Sequence, residues 1–376
     1  MKKLILTLTL TLALLLALSA CSNKIIEVRD PTDSESASLD LESESVSDTT
    51  DDASESTATD ADPEAVNPLT GLACKSELVS RRPVAVMINN IEAAMPQVGT
   101  SFADVIYECI VEGAQTRLMA LYLDYEDVGV IGSVRSSREY YLDFAANHDA
   151  IYVHAGGSNE AYKQIKARRV DNLDGVNMYV PGMFYRDEER LKTHAYEHTL
   201  MTTGEKIKDG IEFKGYRTEY ADGFVSPFSF GEAKKCESGS PAAYVSVSYS
   251  PAHEPFYNYN EEKALYERGQ FGKAQTDSAN GETLAFKNIV MLFCPTFNTL
   301  DEYGHYNVND IGSGDGYYFT NGKYIEITWK KEKSSSPVEL YDKDGDKLIM
   351  NPGKTMMQIC TNDMKDQAVI SAEKQS

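Results

Sequence analysis

VIYECIVEGAQTRLMALYL, residues 105–123, decides the fold. Its first seven residues, Val105 to Val111, are rich in β-branched and aromatic side chains, which favour a strand. Gly113-Ala114-Gln115 then supplies a turn, and Arg117 to Leu123 returns as a second apolar run, so the stretch reads as a hairpin. Upstream, PVAVMI (Pro83–Ile88) predicts another strand. Downstream, the pattern predicts a helix from Ser136 to Asn147, a strand from Ala150 to Val153 and a helix from Ser158 to Arg168. Thr202 and Glu205 have the spacing of a capping box and mark a further helix start. Strands and helices mixed in this order predict an α+β or α/β N-terminal domain with a mixed sheet, spanning residues 67–220. Past residue 220 the texture changes to short apolar runs between Gly, Asn, Asp and Pro: AAYVSVSY, FKNIVMLF, GYYFTNGKYIEITW, VELY, KLIM and MMQI. These predict a β-rich C-terminal domain over residues 221–376.

The beginning of the chain concerns location rather than fold. Lys2 and Lys3 precede an uncharged apolar stretch from Leu4 to Leu18, followed by Leu18-Ser19-Ala20-Cys21. Residues 1–20 therefore read as a signal peptide, too short in its apolar core for the roughly 18 to 20 residues of a membrane span. A cysteine directly after the small residues is the lipobox arrangement, in which Cys21 receives a diacylglycerol and becomes the first residue. Two acyl chains anchor stably where one does not. The expected place is the outer face of the cytoplasmic membrane, lipid-anchored and extracytoplasmic.

Residues 21–66 read as a lipidated cysteine and a disordered tether. Residues 22–66 contain fourteen acidic, two basic and fourteen Ser or Thr residues, with no aromatic residue. Such a segment buries too little apolar surface to offset its ordering entropy. As a random coil, about 45 residues reach roughly 35–40 Å. The formal net charge of −22 argues against nucleic acid as a partner. Beyond Cys21, five cysteines remain, an odd number without a C-x-x-C pair, and Cys109, Cys294 and Cys360 lie in apolar runs, so they read as buried free thiols.

Three stretches carry candidate chemistry. In GSVRSSRE (Gly132–Glu139), Ser136 and Glu139 have capping-box spacing, which places Arg135 before a helix and Arg138 in its first turn. Cations are disfavoured there by the helix dipole unless an anion sits between them and the exposed amides. That anion is either a ligand phosphate or carboxylate, or a protein carboxylate such as Glu108 or Glu112. In IYVHAGGS (Ile151–Ser158), a strand ends in a glycine turn and a helix capped by Ser158, so Gly156, Gly157 and Ser158 are ligand-binding candidates. His154 is an acid/base candidate or a hydrogen-bonded structural histidine. Glu108 and Glu112 share a face in a strand or a helix, and either form a catalytic carboxylate pair or leave Glu112 in a cross-strand pair with Arg117. No metal and no cofactor is expected. His194 and His198 lack a third ligand, and Asp344-Gly345 reads as a hairpin turn rather than a calcium loop.

These residues together resemble the YerB-like family of lipoproteins, known chiefly from Gram-positive bacteria and classed as domains of unknown function. The resemblance rests on NPLTG (Asn67–Gly71), RPVAVMINN (Arg82–Asn90), Pro96-Gln97, Ala103-Asp104, Val111-Glu112-Gly113, Thr116-Arg117, GSVRSSR (Gly132–Arg138) and HAGGS (His154–Ser158). It continues through EHTL (Glu197–Leu200), Tyr266 with Arg268, ITWKK (Ile327–Lys331) and NPGKT (Asn351–Thr355). It implies an N-terminal and a C-terminal domain and brings no assigned activity. Asn89 stands where the family pattern leads one to expect Asp, and Gln275 where it leads one to expect His.

The expected function is a binding or assembly lipoprotein with an anion-accepting cleft lined by Asn90, Arg117, Arg135, Ser136, Arg138 and His154. Its partners would be a cell-wall glycan, an anionic small ligand or an envelope protein. The alternatives are an envelope enzyme acting on a glycan or phosphodiester, with Glu108, Glu112 or His154 as acid/base, and a purely structural partner of a membrane complex.

Overall fold

The computed structural model describes residues 62–375, which lie within one compact unit. The signal peptide, Cys21 and nearly all of the tether lie outside the described residues. From the N-terminal half come β1 (Val84–Asn89), β2 (Val105–Val111), β3 (Gln115–Tyr122), β4 (Ile151–His154) and β5 (Asn172–Asp174). The C-terminal half supplies β6 (Ser240–Pro241), β7 (Asn288–Cys294), β8 (Gly312–Thr320), β9 (Lys323–Lys331), β10 (Glu339–Asp342) and β11 (Thr355–Thr361). All eleven form one sheet in the order β6-β9-β8-β7-β11-β2-β3-β1-β4-β5, with β10 also pairing with β9.

The hairpin β2–β3 is antiparallel, with Cys109 opposite Arg117 and Val111 opposite Gln115. β1 adds antiparallel to β3 and parallel to β4, so the N-terminal half is a mixed sheet, as expected. The two halves meet where β11 runs parallel to β2, placing Gln358 beside Glu108. β1, β2 and β7 are buried along their whole length, which is why they read as continuous apolar runs. A second, six-stranded sheet carries Tyr244–Ser246, Phe256–Asn260 and Leu265–Gln270, and makes the C-terminal half strand-rich.

Helices α1 (Glu139–Ala146), α2 (Asn159–Arg168) and α3 (Gly204–Lys214) belong to the N-terminal half. Ser158 caps α2 by accepting from the Ala161 amide. α3 starts one residue later than the Thr202–Glu205 spacing predicts. Thr203 is the cap, accepting from Lys206, while the Thr202 hydroxyl donates to the Met183 carbonyl. Gly204 is obligatory, because a Cβ there would lie 1.7 Å from the Tyr125 carbonyl oxygen.

The helix expected from Ser136 begins only at Glu139, with Arg138 as its cap residue. The main chain before it has better partners. Arg135 donates its amide to Met87 and Ser137 donates to Gly156, while Ala155 donates to the Arg135 carbonyl. Residues 133–137 thus run extended between β1 and the exit of β4. Tertiary pairing overrides the local capping signal.

Cys74, Cys109, Cys236, Cys294 and Cys360 are all buried, and Cys109, Cys236, Cys294 and Cys360 are free thiols. Among the described residues no helix is long and apolar enough to cross a membrane. Asp342, Asp344 and Asp346 surround the Lys235 ammonium at 2.6, 3.3 and 2.8 Å, and Gly345 takes the left-handed turn position.

Candidate functional site

Two guanidiniums share one carboxylate at the end of the β2–β3 hairpin, and a third lies near them. Glu112 sits in the turn that Gly113 closes with φ +68°. Its Oε1 accepts from Arg117 Nη2 and Arg138 Nη2 at 2.5 Å each, and its Oε2 accepts from Arg138 Nε at 2.9 Å. Arg117 also donates to the Ser136 carbonyl, and Arg138 to that of Ser137, so the extended segment is fixed by the same cations. Burial pushes the Glu112 carboxyl up, but Arg117 and Arg138 outweigh it and hold the group at about 2. Burial and the neighbouring Arg138 charge lower Arg117 to about 10.

Arg135 is the third cation and differs from the other two. Its Nη1 reaches only the Glu197 carbonyl at 3.3 Å, and its Nε is buried without a hydrogen-bond partner. Among the described residues no carboxylate lies within ion-pair distance of it, though Glu197 and Glu112 act on it from further away. It is half-buried, whereas Arg117 and Arg138 are buried. The cluster therefore carries more positive than negative charge, and the surplus centres on Arg135.

A cleft of about 720 Å³ opens beside this cluster. Ser136, Arg138, Gly157 and Ser158 line its N-terminal wall, and Asp301, Glu302, Tyr303 and His305 face them from the C-terminal half. Glu139 and Glu160 also line it, and Asp301 pairs with His305 at 2.6 Å. With Arg138 held by Glu112, this cleft is acidic. Of the grouped arginines, Arg138 lines this cleft and Arg135 does not.

Asn90 and His154 lie apart from the arginines. His154 is fully buried, with Nδ1 against the Gly156 carbonyl at 2.8 Å and Nε2 against Asn172 Oδ1 at 3.2 Å. Asp174 accepts from the Gly156 amide and fixes the glycine turn from below. Asn90 belongs to a sealed network around Glu108. Glu108 Oε1 accepts from Asn90 Nδ2 and Thr116 Oγ1, while Oε2 accepts from Arg268 Nη2 at 2.6 Å and Gln358 Nε2 at 2.9 Å. Both members of the Glu108–Arg268 pair have side chains with no exposure. Glu108 and Glu112 thus stand in separate networks rather than flanking one reaction centre.

Sequence reasoning missed Arg268, Gln358, Tyr249 and Tyr257 as members of this network. Only the Tyr266-x-Arg268 motif hinted at them, and a strand pattern does not reveal a partner 160 residues away. The His194–His198 pair is not a helical ligand pair, because His198 closes a 3₁₀ turn and bonds Asn89 at 2.9 Å. Among the described residues no group of three or more His, Cys, Asp or Glu is placed to hold a metal.

Residues 69–217 match the family described as Protein of unknown function (DUF3048) N-terminal domain, and residues 245–357 match the DUF3048 C-terminal domain. The chain is 31% identical over 296 residues to the Bacillus subtilis (strain 168) protein named "Putative lipoprotein YerB", covering 78% of this chain and 85% of that one. The fold is similar to that of the crystal structure of YerB protein from Bacillus subtilis, with a TM-score of 0.71 and 31% identity over 81% of this chain and 99% of that chain.

Glu112→Gln removes the charge that Arg117 and Arg138 share and leaves two buried cations uncompensated. It should cost about 3 kcal/mol at pH 7 in urea unfolding of the full chain. The Glu112 carboxyl titrates lower in the fold than in the unfolded chain. Its contribution is therefore complete only above the unfolded carboxyl's value of 4.5 and is lost as pH falls through it toward 2, so the gap between variant and wild type should close over that range.

Proposed function

The chain belongs to the DUF3048 family, and on that premise we propose that it is a lipid-anchored envelope protein that binds an anionic group at Arg135 as a binding or assembly factor. The observation that supports this reading is the unmatched third guanidinium. Arg135 is half-buried, and its one hydrogen bond from the guanidinium among the described residues is a long one to the Glu197 carbonyl, so an incoming phosphate or carboxylate would add charge-assisted bonds that the fold does not supply. Arg117 and Arg138 supply the surrounding field, and Glu112 keeps them from collapsing apart.

Binding suits the geometry better than acid/base catalysis. A general acid or base works best with a pKa near the operating pH and within reach of substrate. Glu112 is held at about 2 by its arginines. Glu108 and His154 have no exposed surface. An acidic tether with the random-coil reach of roughly 35–40 Å that its composition leads one to expect would suit a protein that meets a ligand within the envelope.

Lipid attachment is tested by metabolic labelling with an alkynyl fatty acid and membrane fractionation. The wild-type chain should label and sediment with membranes, and Cys21→Ser should do neither; equal labelling of both would remove the anchor from the proposal. Anion binding is tested by thermal shift of the full chain with muropeptides, teichoic-acid fragments, nucleotides and inorganic phosphate. A ligand at about 100 times its Kd should add about 2.7 kcal/mol. Arg135→Ala should fold normally and lose that shift, whereas a shift that survives in the variant would place the anion elsewhere.

A further inference from the structure

A second cleft, of about 480 Å³, opens on the six-stranded sheet of the C-terminal half. Tyr244, Phe256 and Phe271 line it with aromatic surface, and Glu92 and Glu254 also line it. Tyr244 and Phe256 stack with centroids 6.3 Å apart. Phe256 lies across Gly269, where a Cβ would fall 2.0 Å from the ring, so the strand omits a side chain to seat it.

Phe271 stands in an unfavourable place. It occupies the first position of a two-residue turn joining Gln270 to Lys273, with φ +57°, followed by Gly272 at φ +70°. That turn favours Asn or Asp followed by Gly, and a bulky aromatic residue in the left-handed region is strained. Strain of this kind gathers at functional sites. The ring sits edge-on to His253 at 5.5 Å.

His253 is the link between cleft and interior. Its neighbours Ala252 and Glu254 line the cleft, while the residue itself is only 5% exposed. Neither ring nitrogen has a side-chain partner, and the Asn90 main chain and Glu108 act on the ring from the interior. Burial lowers the imidazole's pKa, so it is neutral and presents one donor and one acceptor. On the adjoining strand and turn, Arg268 Nη1, Gln270 Nε2 and Gln275 Oε1 also lack partners, and all three residues are at least 95% buried. Native proteins rarely leave so many buried polar atoms unpaired in one place.

The surroundings select the class of ligand. The Glu108–Arg268 pair is balanced, and Glu92 and Glu254 repel an anion at the mouth. What remains on the lining is aromatic surface, with the Glu92 and Glu254 carboxylates as hydrogen-bond acceptors. A sugar ring offers the complement: apolar C–H faces to lie on the aromatic rings, and neighbouring hydroxyls that both donate and accept. We infer that this cleft binds an uncharged saccharide, with a ring stacked on Phe271 and its hydroxyls donating to the Glu92 and Glu254 carboxylates that line it. This site is separate from Arg135 and does not rest on the anion-binding reading.

The test is a saturation-transfer NMR titration of the full chain in phosphocholine micelles, which carry no sugar. The probes are triacetylchitotriose, maltotriose and, as a peptide control, trialanine. At least one saccharide should saturate with a Kd at or below about 1 mM. Phe271→Asn puts a favoured residue in the turn, so it should fold at least as stably as wild type while its Kd rises about tenfold or more, the loss expected on removing one aromatic face. Glu254→Ala, which removes an acceptor from the lining, should weaken binding as well. The inference is overturned if neither saccharide saturates at about ten times that concentration. Unchanged binding by folded Phe271→Asn, or a preference for trialanine, would overturn it too.

Discussion

A fully buried carboxylate must find a partner for every lone pair, and in this protein Glu108 finds them on both sides of the molecule. Asn90 and Thr116 come from the N-terminal half, Arg268 and Gln358 from the C-terminal half. Separating the halves would leave a charge on each side without its partner in a low-dielectric interior, which is far more costly than losing an exposed ion pair. The parallel pairing of β11 with β2 carries this constraint into the backbone, because it sets Gln358 directly beside Glu108. Tyr249 and Tyr257 extend the network: Gln358 donates to the Tyr249 hydroxyl, and Tyr257 donates to Gln358.

This arrangement explains where the chain keeps groups available. Residues whose chemistry looked catalytic in the sequence are those the fold encloses most completely, Glu108 and His154 among them. Two groups that keep a polar atom without a side-chain partner lie elsewhere: Arg135 within the extended segment before α1, and His253 behind the aromatic cleft. Sealed charge maintains the architecture, while unmatched polarity at its margins is what a ligand would meet.

Much of the sheet was legible because its central strands are buried on both faces and therefore read as unbroken apolar runs. Val105–Val111 matched residue for residue. The Glu112–Arg117 pair was also legible, since five residues across a tight turn bring the two side chains together. Arg138 joining the same carboxylate was one of the alternatives the sequence left open, but the extended run of residues 133–137 that brings it there was not legible. There a Ser-x-x-Glu signal worth about 1 kcal/mol competes with main-chain pairing to Met87 and Gly156, and loses. The Glu108–Arg268 contact depends on the packing of two sheets that no local pattern encodes. Asn89 and Gln275, the two departures from the family pattern, both sit in polar contacts: Asn89 with His198, and Gln275 with Gln97.

The central claim is that Glu108 joins the two halves into one cooperative unit. Native-state hydrogen exchange of the full chain across a series of denaturant concentrations tests it most directly. Amides of Val105–Val111 from the N-terminal half, and of Asn288–Cys294 and Thr355–Thr361 from the C-terminal half, should share one opening free energy to within about 1 kcal/mol, and Glu108→Gln should lower all three together. Two well-separated opening energies that divide at the β11–β2 junction, with Glu108→Gln moving only one of them, would contradict the account.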